Sequence, residues 1–258
     1  MLTLSAPTID ELKQSIDFLC PQPTIVRGLV TREVLGAVLS WPIGIAPRRA
    51  GQSRRLGLLE GFFMMAGRFS LQSVLQVAPK VDPHLFTPMA QYGPRVVHQW
   101  PRLVRTLQKD PSSRRAILVL PRWQETSTEN CPCTVAVQFL IRRGLLNLFC
   151  YYRSWDITWG LPYDVMSIGL LGQATAQICG VIPRNLTVFV SSLHYYDTTE
   201  RLAAGDSFWR YKLKLATSSL PDMVRAAREA VAHPERILDF CDLAILDKGG
   251  FPTEGVLV

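Results

Sequence analysis

The chain has 258 residues, 48% of them hydrophobic, and a formal charge of +7. That is enough apolar residue to bury a large core as one domain spanning 1–258, with charged residues frequent enough to keep it soluble. The N-terminal stretch Met1 to Cys20 carries Asp10, Glu11, Lys13 and Asp17 among apolar residues, unlike a secretory leader, and no apolar run reaches the ~18 to 20 residues of a membrane span, so a soluble, cytoplasmic protein is expected.

The cysteines (Cys20, Cys131, Cys133, Cys150, Cys179, Cys241) are expected to be reduced thiols rather than a disulfide framework. The pair Cys131-x-Cys133 has no second pair or nearby histidine at zinc spacing, so no metal is expected. The positive charge is mostly arginine, whose planar fork suits phosphate. One basic run, Pro47-Arg48-Arg49-Ala50-Gly51-Gln52-Ser53-Arg54-Arg55, reads as a solvated or anion-binding loop, with a nucleic-acid patch as the alternative.

Ile9 to Cys20 reads as an amphipathic helix entered through Thr8 or Asp10. A Pro-interrupted stretch follows, then a strand-like segment from Thr31 to Ile45, broken by Gly36 and Pro42. Leu56 to Met65 (LGLLEGFFMM) reads as a buried helix with one carboxylate, Glu60, in its middle. Burying an ionised carboxylate alone is costly, so Glu60 is exposed on a helix face, paired, or kept for chemistry.

Ala116 to Leu120 is a strand, led into by Ser112-Ser113-Arg114-Arg115. Val135 to Ile141 and Leu145 to Tyr152 form a hairpin across Arg142-Arg143-Gly144, so Cys133 meets Arg153, Ser154 and Asp156 where its outer ends converge. Asp164 to Cys179 has helical periodicity and is closed by Gly180. Leu186 to Val190 is a strand leading to His194-Tyr195-Tyr196, Pro221 to Leu246 is largely helical, and the tail Gly249 to Val258 is irregular. No internal repeat or low-complexity linker interrupts the chain.

The ordered set Pro132-Cys133, Gln138-Phe139, Arg153-Ser154-Trp155-Asp156, Gly160-Leu161-Pro162-Tyr163-Asp164 and His194-Tyr195-Tyr196 resembles the thymidylate synthase family, which includes pyrimidine nucleotide hydroxymethylases. Upstream, Glu60, Tyr92-Gly93 and Ser113-Arg114-Arg115 fit the family order, and the similarity is dense from Tyr92 to Tyr196. The family's Arg-Thr-Gly phosphate loop is replaced by Val26-Arg27-Gly28-Leu29, onto which only Arg27 carries over.

The resemblance implies an α/β (α+β) fold, a large twisted mixed sheet with surrounding helices, and a homodimer formed through that sheet. It implies Cys133 as the nucleophile and Glu60 as the group that relays protons and activates water. Arg153 and Ser154 would hold the nucleotide phosphate, with Arg114 and Arg115 reaching it from the partner subunit. His194 and Tyr196 would hold the sugar, Gln138 and Ser167 would complete the substrate set, and Asp156 and Tyr92 would meet 5,10-methylenetetrahydrofolate, the cosubstrate. Chemically, a pyrimidine C5 becomes nucleophilic only after a thiolate adds to C6. A neighbouring arginine would favour that thiolate.

Asp164 stands where thymidylate synthases carry asparagine, whose amide matches uracil; a carboxyl group matches cytosine, which presents an N4 donor and an N3 acceptor. The known cytidylate hydroxymethylases of the family share that aspartate. A helix N-cap is the structural alternative for Asp164. Thr134 replaces the histidine usual after the nucleophile, and the tail from Thr253 to Val258 departs from the synthase terminus. The expectation is a cytidine nucleotide 5-hydroxymethylase acting on CMP or dCMP. The alternatives are a divergent thymidylate synthase methylating dUMP, and a non-catalytic basic nucleic-acid-binding relative.

Overall fold

The computed structural model describes residues 2–4, 8–26, 28–47, 54–67, 92–126 and 131–197. Among these, eight strands form one mixed sheet: β1 (Leu2–Leu4), β2 (Thr24–Val26), β3 (Leu29–Pro42), β4 (Ile117–Val119), β5 (Thr134–Arg142), β6 (Leu145–Tyr152), β7 (Trp155–Asp156) and β8 (Ile182–Tyr196). Their order is β1-β3-β8-β6-β5-β4, with β2 on β3 and β7 on β8. Four α-helices accompany it: α1 (Ile9–Leu19), α2 (Arg54–Ala66), α3 (Gly93–Lys109) and α4 (Leu161–Cys179). This is the expected mixed α/β architecture.

The β5–β6 hairpin turns on Arg143 (φ 54) and Gly144 (φ 74), both left-handed, as a two-residue turn matched to strand twist requires. Its core face is Val137, Phe139, Ile141, Leu146, Leu148 and Cys150, all buried. Strand β3 does not break at Gly36. That residue (φ 72) and Ser191 opposite it lie between the pairs Leu35↔Ser192 and Ala37↔Val190, so the register holds across the glycine and the strand runs on to Pro42. Strand β8 also exceeds its expected bounds, so His194 and Tyr196 lie on a regular strand instead of in a loop beyond one.

Helix α4 crosses between the parallel strands β6 and β8 and is buried on nearly every side. Gly172 lets it rest on Leu148 and Ile43 of the sheet side, and Trp100 of α3 donates to Thr175 at 2.9 Å. Helix α2 lies against it through Gly57, facing Met166, and Gly61, facing Ser167 and Leu170. A Cβ at Gly61 would stand 3.2 Å from the Ser167 Cα and 3.0 Å from Leu170 Cδ2. Gly61→Ala should therefore push α2 off α4 and cost roughly 1–3 kcal/mol, read by urea denaturation.

Helix α3 is absent from the sequence expectation because Pro94 and Pro101 obscure its stripe of Val96, Trp100, Leu103, Val104 and Leu107, all buried. Helix α1 begins as expected at Thr8, whose hydroxyl accepts from the Glu11 N–H at 3.2 Å. It is tied to the sheet by Asp17, which accepts from Tyr195 and pairs with Arg32 at 3.3 Å.

Among the described residues, the opposite face of the sheet is uncovered. It carries Leu35, Ile117, Val119 and Tyr151, all exposed, with Phe189 stacked on Tyr151 at 5.3 Å and on Phe149 at 6.4 Å. No helix among the described residues is long and apolar enough to cross a membrane. Arg27, the basic run from Arg48 to Ser53, the segment Pro221 to Leu246 and the tail lie outside the described residues, as do the side chains of Arg54 and Arg55.

Candidate active site

The hairpin brings its outer ends together as the strand pattern requires. The Arg153 N–H donates to the Cys133 carbonyl at 3.0 Å. The Arg153 guanidinium wraps the same turn, donating to the carbonyls of Cys131 (2.5 Å) and Pro132 (3.1 Å) and lying 3.7 Å from Cys133 Sγ. A proline between the cysteines thus shapes a turn whose carbonyls aim one arginine at one sulfur.

Cys133 is half-buried, and burial pushes its thiol above the ordinary range. Arg153 partly offsets this, whereas the charges of Asp164, Cys131 and Asp156 add to it. Arg153 favours the thiolate as expected, but desolvation outweighs the cation, so the arginine is placed to stabilise the thiolate as it forms. Only the thiolate alkylates quickly, so labelling of Cys133 by iodoacetamide should be slow at neutral pH. Its rate should rise with a midpoint above the usual ~8.5, followed by peptide mass spectrometry. A midpoint below that value would contradict this reading.

Asp164 is in the first turn of α4, but it is not the N-cap. Helix α4 starts three residues earlier, at Leu161 with Pro162 behind it, and its N-cap is Gly160. The Asp164 carboxyl instead accepts from Trp155 Nε1 at 2.8 Å, and Trp155 is buried against Tyr152 with ring centroids 4.3 Å apart. Trp155 was not foreseen as a site residue; its only sequence signal is its place between Ser154 and Asp156.

The Tyr92 hydroxyl accepts from the Thr134 N–H at 3.3 Å and lies 3.1 Å from the Thr134 hydroxyl, beside the residue that follows Cys133. Burial, then the Asp164 charge, raises the Tyr92 phenol well above its usual range, so it remains a hydrogen-bond donor. Opposite Thr134 across the hairpin, the buried Tyr152 hydroxyl has no hydrogen-bond partner at normal distance among the described residues. Three hydroxyls and a carboxyl group thus surround the space behind Cys133.

Glu60 is half-buried on α2, next to Gly61, whose Cα abuts the second turn of α4. Ser167, buried there, donates to the Asp164 carbonyl at 3.2 Å, so its hydroxyl serves the helix backbone. Asp156 is half-buried, and its Oδ1 accepts from the N–H groups of Thr158 (2.7 Å) and Trp159 (3.2 Å), fixing the turn into α4. His194 is buried, pairs in register with Asp156, and meets the Tyr196 ring edge-on at 5.1 Å.

Gln138 and the Arg114-Arg115 pair are not brought to Cys133 within one chain. The Gln138 amide donates to the Arg114 carbonyl at 2.9 Å on the open face. Five strand residues separate Gln138 from Cys133, roughly 17 Å at about 3.4 Å per residue. In the single chain the Gln138 bond to Arg114 holds the start of β4. Arg114 and Arg115 are exposed at that far end. Beside exposed Arg153, the same face has a concavity of ≈ 270 Å³ lined by Gly36, Tyr151, Arg153 and Phe189 among others.

An arginine-flanked cysteine, a carboxyl group oriented by an indole, and a buried imidazole at one rim of a mixed sheet define a site suited to nucleophilic chemistry on an anionic ligand. A family model described as thymidylate synthase matches residues 76–225, more than half of the chain, and the chain belongs to the thymidylate synthase family. The thymidylate synthase of Pseudomonas fluorescens (strain SBW25) is 25% identical over 210 residues, covering 70% of this chain and 73% of that protein. The thymidylate synthase of Aster yellows witches'-broom phytoplasma (strain AYWB) is 30% identical over 129 residues, covering 45% of this chain and 44% of that protein. The putative thymidylate synthase of Methanopyrus kandleri is 31% identical over 125 residues, or 45% of this chain and 59% of that protein.

Proposed function

We propose that this protein is a cytidine nucleotide 5-hydroxymethylase, acting on CMP or dCMP. The observation that carries the reading is the Trp155 hydrogen bond to Asp164 Oδ2. An indole N–H only donates, so residue 164 must turn an oxygen toward it. An asparagine would then present its NH₂ to the base and suit the O4 acceptor of uracil. Aspartate presents a second oxygen and suits the N4 donor of cytosine. The buried tryptophan makes the identity of residue 164 decide the base.

In this reading Cys133 adds to C6 as its proton leaves, and Arg153 stabilises the growing thiolate while its outward edge, with Ser154, meets the phosphate. Glu60 moves protons around the ring and activates the water that completes the product. Bound methylenetetrahydrofolate supplies the one-carbon unit. Asp156 suits its pterin: a carboxylate fixed by two backbone N–H groups is an acceptor, and a reduced pterin presents N–H donors.

The assembly proposed is a homodimer through the open sheet face, whose exposed Leu35, Ile117, Val119 and Tyr151 would be covered by a second copy. It would account for Arg114 and Arg115, too far from Arg153 in their own chain, as donors to the partner's phosphate. Multiple guanidinium groups suit a dianion.

The test is release of tritium to solvent from C5-labelled CMP, dCMP, UMP and dUMP with methylenetetrahydrofolate. Release from a cytidine nucleotide is expected. Release confined to dUMP would overturn the base assignment in favour of a thymidylate synthase, the function named for the relatives above. Release from none, with salt-sensitive nucleic-acid binding that survives Cys133→Ser, would favour a silent binding protein.

A further inference from the structure

Strand β8 places Ser192, His194 and Tyr196 two residues apart on one face, and β3 sets Glu33 directly opposite His194. The Ser192 hydroxyl donates to Glu33 Oε1 in a close contact and lies 3.3 Å from His194 Nδ1. The Ser192 carbonyl lies 3.4 Å from the same nitrogen. A carbonyl accepts and never donates, and the Ser192 hydroxyl spends its only proton on Glu33. Both neighbours of Nδ1 are therefore acceptors, which sets the proton of the neutral imidazole on Nδ1 and leaves Nε2 as an acceptor.

From this geometry we infer that Glu33 and Ser192 are positioning residues, a carboxyl–hydroxyl relay that fixes the His194 tautomer so that Nε2 accepts a hydrogen bond from a sugar hydroxyl of the bound nucleotide. The inference rests on the reading above that His194 meets the sugar, and it is independent of which base the site selects. It gives a role to Glu33, an acidic residue on a strand with no other function in the site. The Tyr196 ring meets the imidazole edge-on, and the relay decides what the imidazole offers. Without Ser192, Nδ1 keeps only the longer backbone contact. The proton is then free to move to Nε2, where it repels a donor and forfeits the hydrogen bond.

The experiment compares wild type with Ser192→Ala, Ser192→Thr and Glu33→Ala. Each is tested for KM and kcat of tritium release, and for equilibrium binding of dCMP and dUMP and of their 2′,3′-dideoxy counterparts. Ser192→Ala and Glu33→Ala should raise KM for the better substrate about tenfold with kcat within about twofold, a loss of binding shared by ground and transition states. Ser192→Thr, which keeps a hydroxyl on a strand, should stay near wild type. On the dideoxynucleotide, which has no hydroxyl to offer, the alanine variants should bind as wild type does.

Equal losses on the hydroxylated and dideoxy ligands, or no loss on either, would overturn the relay. If effects of the expected kind appear on dUMP instead of dCMP, the relay stands and only the cytosine assignment falls. A wild-type protein that binds no pyrimidine nucleotide would overturn both.

Discussion

Cys133→Ser should reduce tritium release from C5 by roughly 10⁴-fold or more, the scale on which removal of a nucleophile is felt, with little change in nucleotide affinity. The substitution changes one atom at a half-buried position, so denaturation should be close to wild type. The remaining hydroxyl would sit beside the same Arg153 guanidinium. It is a far weaker nucleophile at neutral pH, and an arginine able to stabilise a thiolate does not rescue it. Cys131→Ser should be nearly neutral, because Cys131 contributes its carbonyl to Arg153 and its sulfur lies 3.8 Å from the Pro132 carbonyl. If the two serine variants lost activity equally, or if Cys133→Ser retained substantial turnover, the nucleophile would be misassigned.

Asp164→Asn should exchange the base preferred. With Trp155 Nε1 holding one oxygen at residue 164, the asparagine amide must direct its NH₂ toward the base, where the N4 donor of cytosine then faces a donor. Sites that hydrogen-bond a polar substrate group reject mismatched partners by large factors. The ratio of kcat/KM for cytidine to uridine nucleotides should fall about 10³-fold, near 4 kcal/mol. Trp155→Phe should blur the preference in both backgrounds, since the amide or carboxyl loses the donor that orients it. A preference unchanged by Asp164→Asn would remove the basis for assigning the base to this residue.

The site was legible in the sequence where local rules govern it. Alternating apolar residues and a turn centred on Gly144 are enough to bring Cys133 and Arg153 together, and the backbone bond between them follows. The resting state of the thiol was not legible, because its sign depends on how much burial outweighs one cation, which spacing does not report. The start of α4 was misjudged at Asp164 because Leu161-Pro162-Tyr163 looks like a turn. Proline is in fact at home in a first helical turn, and this moves Asp164 inside the helix and frees its carboxyl group for Trp155.

Helix α3 was obscured for the opposite reason: its internal Pro101 reads as a breaker, yet a broad buried face holds the helix together. The Glu33–Ser192–His194 chain joins residues 159 apart in sequence and exists only through the β3–β8 register. Gln138 was placed by motif alone, and its amide bond to the Arg114 carbonyl depends on the β4–β5 pairing. Motif order identified the family; strand pairing determined which of its residues meet in one chain.

The most direct test of the central claim is the mass of the nucleotide product after incubation of the wild-type protein with CMP, dCMP, UMP or dUMP and methylenetetrahydrofolate. Gain of the elements of CH₂O on CMP or dCMP is the predicted result. Gain of CH₂ on dUMP, with the cytidine nucleotides unchanged, would contradict it.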